Sequence, residues 1–192
     1  MCGRYVISSK NKIYEIYKLK IHNNFNVVPS NYVPVLDNNL NPKIIKWNFS
    51  PIWAKNNMKL INARKESLER KPSFKNHLRC IFIANGYFEW RKYNNHKVPY
   101  YHYLPNKLIY FAGIYNKNSG CCIVTRESHA RIAHIYPRQP ILLKENDFDR
   151  WLSNVYDDDN SISNNLIVHR VSKIINNPLN NTYNNIKRVE NE

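Results

Sequence analysis

Residues 79–90 read RCIFIANGYFEW, and this stretch decides the fold. An apolar run at 79–84 and an aromatic run at 87–91 both have the composition of β-strands, and only Asn85 and Gly86 separate them. The short spacing of the strand-like runs along the chain favours antiparallel pairing. Further runs of this kind lie at 26–36, 43–49, 98–104, 108–115, 121–125, 141–143 and 166–171.

Helical patterns are fewer and shorter than the strand-like runs. Ser9 is placed to cap a helix that carries Ile13 and Tyr17 on one face. Other short helices are predicted at 66–70, 128–133 and 145–153. Because no repeat or linker divides the chain, the sequence predicts a single α+β domain over 1–192, largely β with flanking helices. We expect the Asn-rich tail at about 176–192 to pack loosely over it.

Composition excludes several classes of protein. No window approaches about 18 uninterrupted apolar residues, so a membrane-spanning helix is not expected. The start of the chain, MCGRY, lacks the basic and apolar regions of a signal peptide, which predicts an intracellular protein, cytoplasmic or nucleoid-associated. The cysteines lack metal-ligand spacing, so neither a zinc site nor a disulfide framework is predicted. They are Cys2, Cys80, Cys121 and Cys122.

The chain is strongly basic. Lys and Arg number 29 against 14 Asp and Glu, which gives a formal charge of +15 and a pI of about 9.7. Such an excess favours a polyanionic partner, most simply nucleic acid. A compositional bias is the alternative, because the chain is also very rich in Asn.

Cys2 is the first candidate for chemistry. Removal of Met1 would leave Cys2 with a free α-amine beside its thiol, and an α-amine has a reference pKa near ~7.7–8.0. Together the two groups can convert an aldehyde into an imine and then into a five-membered thiazolidine. The alternative is that Cys2 is a small buried apolar residue.

Asn62 and Glu89 are the next candidates. Asn62 and Arg64 in NAR would share one face of a strand, where an amide and a guanidinium can bind phosphate or sugar oxygens; the alternative is an ordinary loop. Glu89 lies among aromatic residues in GYFEW. It is either exposed on an outward face or desolvated, and desolvation would raise its pKa to suit a general acid or base.

Tryptophans alternate with cations along the chain. Trp53 is followed by Lys55, and Trp90 by Arg91 and Lys92. Aromatic rings beside cations suit single-stranded nucleic acid, whose bases stack while its phosphates pair with charge. At least two of the four tryptophans are nevertheless expected in the core.

Taken in order along nearly the whole chain, these segments resemble one family. The sequence is similar to the SOS response-associated peptidase (SRAP) family, whose members crosslink to abasic sites in single-stranded DNA. The most specific segments are MCGRY at 1–5, NAR at 62–64 and FEW at 88–90. Others are NVVPS at 26–30, WNFSPIWA at 47–54, KPSF at 71–74, FAGIY at 111–115 and RQP at 138–140.

The resemblance implies a fold and a set of roles. The fold would be a curved, mostly antiparallel, barrel-like β core with helices around it. Met1 would be removed, and Cys2 would form a thiazolidine with the ring-opened abasic deoxyribose. Asn62 would hold the sugar or its oxyanion, and Glu89 would act as acid and base in ring opening. Phosphate contacts are implied for Arg4, Arg64 and Arg138, and Trp53 would be a stacking or wedge residue beside the abasic gap. Abasic single-stranded DNA would be the partner of a monomer, with no metal or organic cofactor.

One position departs from the family pattern. The family places a His two residues before its Arg-Pro motif, whereas this chain has Tyr136 there, in IYPRQP at 135–140. Tyr has a reference pKa near ~10 against ~6.5 for His, so it is a poor base at neutral pH. His134 is a weaker candidate for the missing function, with a surface residue as the alternative. The hypothesis is that crosslinking survives while reversal of the crosslink, or strand cleavage, is slowed.

Two other functions remain open from the sequence. The first is a peptidase with Cys2 as nucleophile, which cleaves its own Met1. Weak lyase activity at abasic sites is not a separate alternative, because it would accompany crosslinking. A thiol protease normally needs a nearby His base, and the expected position holds Tyr136. The second is a module that only coats single-stranded DNA, which gives no reason for the set Cys2, Asn62 and Glu89.

Overall fold

The structure, a computed structural model, describes residues 2–51, 53–54, 58–157 and 161–189. Within these residues the strands form two sheets. The first is wholly antiparallel, and its strands in spatial order are β13 (Ile167–Arg170), β8 (His96–Tyr103), β7 (Gly86–Tyr93), β1 (Arg4–Ile7) and β2 (Asn24–Val27).

The second sheet is larger and mixed. Its main path in spatial order is β11 (Arg138–Pro140), β10 (Gly120–Glu127), β9 (Ile109–Asn116), β6 (Leu78–Ala84), β3 (Tyr32–Leu36) and β4 (Pro42–Lys46). Two short strands attach beside this path: β12 (Leu142–Leu143) pairs with β9, and β5 (Asn62–Arg64) pairs with β10. The pairing of β5 with β10 is parallel. The 79–90 stretch is therefore the place where the chain passes from the second sheet, in β6, to the first, in β7.

The helices are short and lie at the ends of strands. They are α1 (Lys10–Tyr17), α2 (Ala130–Ala133), α3 (Phe148–Leu152) and α4 (Ser161–Asn164). Single 3-10 turns occur at Lys65–Ser67, Pro72–Phe74, Glu145–Asp147, Lys173–Asn176 and Tyr183–Ile186. In the part of the chain that is described, no helix has the length and apolar character needed to cross a membrane. This mixture of antiparallel sheets and few helices confirms the predicted α+β class.

The main core lies between the inner faces of the two sheets. Tyr5 of β1 contacts Phe82 and Phe111 of the second sheet edge-on, with ring centroids 6.5 and 5.8 Å apart. Trp47 and Trp151 are buried, which confirms that at least two tryptophans belong to the core. Offset and edge-on ring packing of this kind adds stability beyond the apolar area that it buries.

A smaller cluster covers the opposite, outer face of the first sheet. Phe88 and Tyr101 pack there against Val171 and Ile175 of the C-terminal segment. That segment also occupies the edge of β2, where the Asn181 side chain accepts a hydrogen bond of 2.7 Å from the backbone N–H of Phe25.

The predicted barrel-like closure is wrong. Within the described residues the first sheet runs from β13 to β2 and the second from β11 to β4, without closing on itself. In the first sheet the C-terminal segment lies at the β2 edge where a further strand would pair, and its Asn181 side chain accepts the hydrogen bond of the Phe25 N–H there.

The predicted strand at 26–36 is two strands. The chain turns between β2 and β3, where Pro29 lacks a backbone donor and Ser30 has a φ of 76°. The N–H of Ser30 donates to the carbonyl of Trp47 at 2.8 Å, so the turn is anchored to the segment that follows β4. Sequence analysis did not predict β1, whose four residues are too few to show a period.

We predict that Gly86→Ala destabilises the fold. A Cβ at this position would lie 2.6 Å from the carbonyl oxygen of His102, a backbone atom that cannot rotate away. The substitution should lower the free energy of unfolding by about 1–3 kcal/mol in urea titrations, the usual cost of overpacking. In the same hairpin, Asn94→Gly is the control: Asn94 has a φ of 41°, which Gly adopts freely, so stability should change by less than about 0.5 kcal/mol. Equal effects of the two substitutions would contradict this.

Candidate active site

Cys2 is held against the second sheet by Asn62. The Asn62 Nδ2 donates a hydrogen bond of 2.8 Å to the carbonyl of Cys2. Asn62 opens β5, which is fixed by parallel pairing of its residue 62 with Ile123 of β10. The other amide atom, Oδ1, is buried and has no hydrogen-bond partner among the described residues. It is therefore able to accept a hydrogen bond from a ligand.

Glu89 approaches Cys2 from the first sheet. It lies on β7 and is only 4% exposed, so it occupies the desolvated environment that was one of its two predicted settings. Burial raises the pKa of Glu89 to about 7, with a hydrogen bond from the backbone of Trp90 acting in the opposite direction. A carboxyl with this pKa is divided between its acid and its base at neutral pH, as general acid–base chemistry requires.

The Cys2 thiol is also buried, with no exposed surface. Burial raises the pKa of Cys2 well above its usual range, and the negative charge of Glu89 raises it further. The pKa of Tyr87 is raised chiefly by its burial, and the charges of Cys2 and Glu89 raise it further. Cys2, Tyr87 and Glu89 therefore form one electrostatically connected group, in which the thiol is held in its protonated form.

Tyr87 has a partner that sequence analysis missed. Its ring stacks on His102 of β8, with centroids 4.6 Å apart and planes at 11°. Burial lowers the pKa of His102 to about 3, so this imidazole is neutral. The register of the β7–β8 hairpin, which turns at Asn94 and Asn95, pairs Tyr87 with His102 and Glu89 with Tyr100 and so places these residues together.

A pocket of about 920 Å³ opens beside Glu89. Tyr136 and Pro137 line it together with Ile61, which precedes Asn62. Tyr136 is half-buried there, so the residue at the family's His position does share a pocket with Glu89. His134 is exposed at the C-terminal end of α2 and is not among the residues that line this pocket.

The C-terminal segment closes one side of the same pocket through Asn176. The Trp90 Nε1 donates to the Asn176 side chain at 2.8 Å. Arg4 holds this segment from behind: its Nη1 donates to the carbonyl of Ile175 and to the side chain of Asn26, both at 2.7 Å. Arg4 thus spans β1, β2 and the C-terminal segment.

Arg138 makes a two-point ion pair that sequence analysis also missed. Its Nη1 and Nη2 donate to the two carboxylate oxygens of Glu66 at 2.8 and 3.0 Å, and Nη2 also donates to the carbonyl of Thr125 at 2.8 Å. The hydrogen bond from Arg138 lowers the pKa of Glu66 below its usual range. Glu66 lies two residues after the NAR segment, and the sequence gives no sign of its partner 72 residues away.

The remaining predicted DNA contacts lie at the surface. Arg64 is exposed at the end of β5, two residues after Asn62. Trp53 is 58% exposed, and its Nε1 lies 3.4 Å from the carbonyl of Pro72. An exposed tryptophan of this kind is available for stacking.

Fold and site together define a class of protein. It is a two-sheet α+β protein whose candidate nucleophile lies at the amino-terminal end of the chain, between a buried carboxyl and an amide from different sheets. The comparisons with known proteins identify the family. Residues 1–182 match the family described as SOS response associated peptidase (SRAP). The chain therefore belongs to the SRAP family, which confirms the resemblance drawn from the sequence.

Two curated relatives and one solved structure are similar over most of the chain. Abasic site processing protein YoqW of Bacillus subtilis is 28% identical and aligns over 95% of this chain and 97% of its own. Abasic site processing protein YedK of Escherichia coli is 28% identical over 79% of each chain. A crystal structure of a protein from Bacteroides thetaiotaomicron superposes with a TM-score of 0.78 at 22% identity, covering 98% of this chain and 100% of that chain. This last likeness shows the fold.

We predict that Glu89 makes stability depend on pH. Because its pKa is raised from 4.5 to about 7, Glu89 binds its proton more tightly in the folded than in the unfolded state. The resulting stabilisation of the fold is complete below pH 4.5 and is lost as the pH rises through 7. Relative to Glu89→Gln, the wild-type free energy of unfolding should fall by about 3 kcal/mol over that range. Urea titrations at several pH values measure it.

Glu66→Gln is the matched control for this prediction. The pKa of Glu66 is lowered, so the folded state keeps it ionised over the same range, and any change has the opposite sign and is confined to the acid end. If the free energies of unfolding of the wild type and of Glu89→Gln differ by the same amount at pH 4.5 and at pH 7, the raised pKa is contradicted.

Proposed function

We propose that this protein processes abasic sites by forming a covalent crosslink between Cys2 and the ring-opened deoxyribose in single-stranded DNA. The observation that carries the proposal is the convergence of Cys2, Asn62 and Glu89, which come from three distant parts of the chain. Family membership and the abasic site processing relatives support the same substrate. The basic charge of +15 supports a nucleic-acid partner.

The reaction at Cys2 follows from the two groups that this residue carries. Once Met1 is removed, the α-amine of Cys2 adds to the C1′ aldehyde, and the resulting carbinolamine loses one water to give an imine. The thiol then adds across the C=N bond: sulfur bonds to C1′ and the thiol proton goes to nitrogen, closing the thiazolidine. The raised pKa of Cys2 suits this order, because the thiol keeps its proton until the imine exists.

Glu89 is the acid that opens the sugar ring. The closed abasic sugar becomes an aldehyde when the C1′–O4′ bond breaks, O4′ gains a proton and the C1′ hydroxyl loses one. A carboxyl with a pKa near 7 supplies the first proton at neutral pH and accepts one in the reverse step. Asn62, whose Oδ1 is free to accept a hydrogen bond, orients a sugar hydroxyl while its Nδ2 fixes Cys2.

The arginines and Trp53 are assigned to the flanking DNA. Arg64 is exposed next to Asn62 and is placed for a phosphate. Arg138 binds a phosphate in place of the Glu66 carboxylate with which it is now paired. Arg4 contributes to DNA binding indirectly, by holding the C-terminal segment in position. Trp53 stacks beside the missing base.

We predict a covalent adduct that requires Cys2. Incubation with a single-stranded oligonucleotide that carries one abasic site should give a species with the mass of the protein without Met1, plus the DNA, minus one water. Cys2→Ala should abolish it, and intact DNA should give none. Intact mass spectrometry measures all of these.

Cys80→Ala is the matched control for Cys2→Ala, because Cys80 is an equally buried cysteine on the second sheet. It should leave the adduct unchanged. Retention of Met1 with tight DNA binding but no adduct would contradict the proposal and leave a DNA-coating module. Cleavage of peptides that is lost in Cys2→Ala, without an adduct, would leave a peptidase.

We predict that Tyr136→His accelerates release of the crosslinked DNA. An imidazole in the Glu89 pocket titrates near neutral pH and can act as the base that Tyr136 cannot be, so release should rise by about tenfold or more. The preformed, labelled adduct is chased with unlabelled abasic oligonucleotide, and label is followed over time. Tyr136→Phe, which keeps the ring, should form the adduct and release it no faster than wild type. Equal release by the His and Phe variants would disprove the role given to this position.

A further inference from the structure

A second pocket lies on the outer face of the first sheet. It has a volume of about 590 Å³, within the usual range of small-ligand sites. Its wall is formed by β8, the start of α1 and the C-terminal turn at Tyr183–Ile186. We call it the outer pocket, and define it by two tyrosines of β8 and four surrounding cations: Tyr101, Tyr103, Lys12, Lys107, Lys187 and Arg188.

The outer pocket is separate from the site of Cys2. Side chains alternate across a strand, so Tyr101 and Tyr103 lie on the face opposite to His102. His102 stacks on Tyr87 on the inner face, together with the group that contains Cys2 and Glu89. None of the described residues that line the Glu89 pocket also lines the outer pocket.

The floor of the outer pocket is aromatic. Tyr101 and Tyr103 stack with centroids 5.1 Å apart and planes at 11°, and His169 meets both rings edge-on at 5.8 and 5.6 Å. Tyr183 lines the pocket and is 58% exposed, with the Lys187 Nζ 5.5 Å from its ring centroid. Exposed aromatic rings beside cations are the surface on which nucleic-acid bases stack.

The rim of the outer pocket is uniformly positive. Its four cations are exposed, and no Asp or Glu is among the described residues that line it. Lys12 donates to the carbonyl of Asn106 at 3.2 Å, which fixes its ammonium at the rim without neutralising it. Four cations around an aromatic floor suit a ligand that carries both negative charge and flat rings.

We propose that the outer pocket is a second, noncovalent binding site for single-stranded nucleic acid, in which a base stacks on Tyr103 and Tyr183 and phosphates lie among the cations. An acidic peptide would satisfy the charges but would leave the aromatic floor without a flat partner. The inference rests on the proposed function only in the choice of DNA as the probe. It requires neither an abasic site nor a reactive Cys2.

The test is equilibrium binding of fluorescent oligothymidylate without abasic sites to the full chain carrying Cys2→Ala. The double variant Lys107→Gln/Lys187→Gln should bind about tenfold more weakly at low salt. The slope of log K against log salt should be shallower by about 1.4, or about 0.7 for each phosphate that is no longer neutralised. Tyr183→Leu should bind about fivefold or more weakly with an unchanged slope, because this variant removes stacking and keeps the charge.

Matched controls separate the outer pocket from general charge. Lys43→Gln/Lys117→Gln removes the same charge at a different pocket, and Tyr32→Leu removes another exposed tyrosine. Both should bind as the parent does. Outer-pocket variants that behave like these controls would overturn the proposal. The proposal would also be overturned if the protein bound polyglutamate but not oligothymidylate, and if the outer-pocket substitutions weakened the binding of polyglutamate.

Failure of this proposal is distinguishable from failure of the proposed function. With Cys2 intact, the outer-pocket variants should still form the adduct with a short abasic oligonucleotide of about 4 nucleotides, which also shows that they fold. A normal adduct with no effect on oligothymidylate binding overturns the outer pocket alone. If the wild-type protein forms no adduct while its binding of oligothymidylate depends on the outer pocket, the crosslink alone is overturned.

Discussion

The antiparallel pairing of β1 with β7 is the constraint on which the candidate site depends. Arg4 pairs with Phe88 and Tyr5 with Tyr87, so the start of the chain runs beside the aromatic strand. Cys2 precedes the first paired residue and is therefore brought to Glu89, which follows Phe88. A slip of one residue would exchange the two faces of β1, moving Tyr5 out of the core and Arg4 into it.

Burial raises the pKa of both the candidate nucleophile, Cys2, and the candidate acid, Glu89. Desolvation disfavours both the thiolate of Cys2 and the carboxylate of Glu89, and the charge of Glu89 acts on Cys2 as well. A site that needed a standing thiolate would be poorly served by this arrangement. A reaction that begins at the amine and uses the thiol only after an imine has formed is served well, since the protonated thiol brings the proton that nitrogen needs.

Much of the secondary structure was predictable from sequence, whereas the contacts between its parts were not. The apolar run at 79–84 and the aromatic run at 87–91 have strand composition, and both are strands. Their assignment to different sheets depends on pairing of β6 with β9, 25 or more residues further along, and of β7 with the adjacent β8 and the distant β1. The ion pair of Arg138 with Glu66 likewise depends on tertiary packing, whereas the Tyr87–His102 stack depends on the register of the β7–β8 hairpin. Residue chemistry made Cys2, Asn62 and Glu89 candidates with alternatives left open, and the family resemblance implied their roles. The burial of Glu89 follows from which face of β7 meets the second sheet.

The hairpin of β7 and β8 carries two kinds of surface because side chains alternate along it. Its inner face holds Tyr87, Glu89 and His102 in a desolvated environment, where pKa values shift. Its outer face holds the half-buried Tyr103, stacked on the buried Tyr101, beside the cations of the outer pocket, where ring stacking and charge act at the same place. The C-terminal segment connects the two, because Asn176 lines the Glu89 pocket while Tyr183 and Lys187 line the outer pocket. Arg4 of β1 anchors this segment at Ile175, so the amino-terminal strand contacts the same segment that lines both pockets.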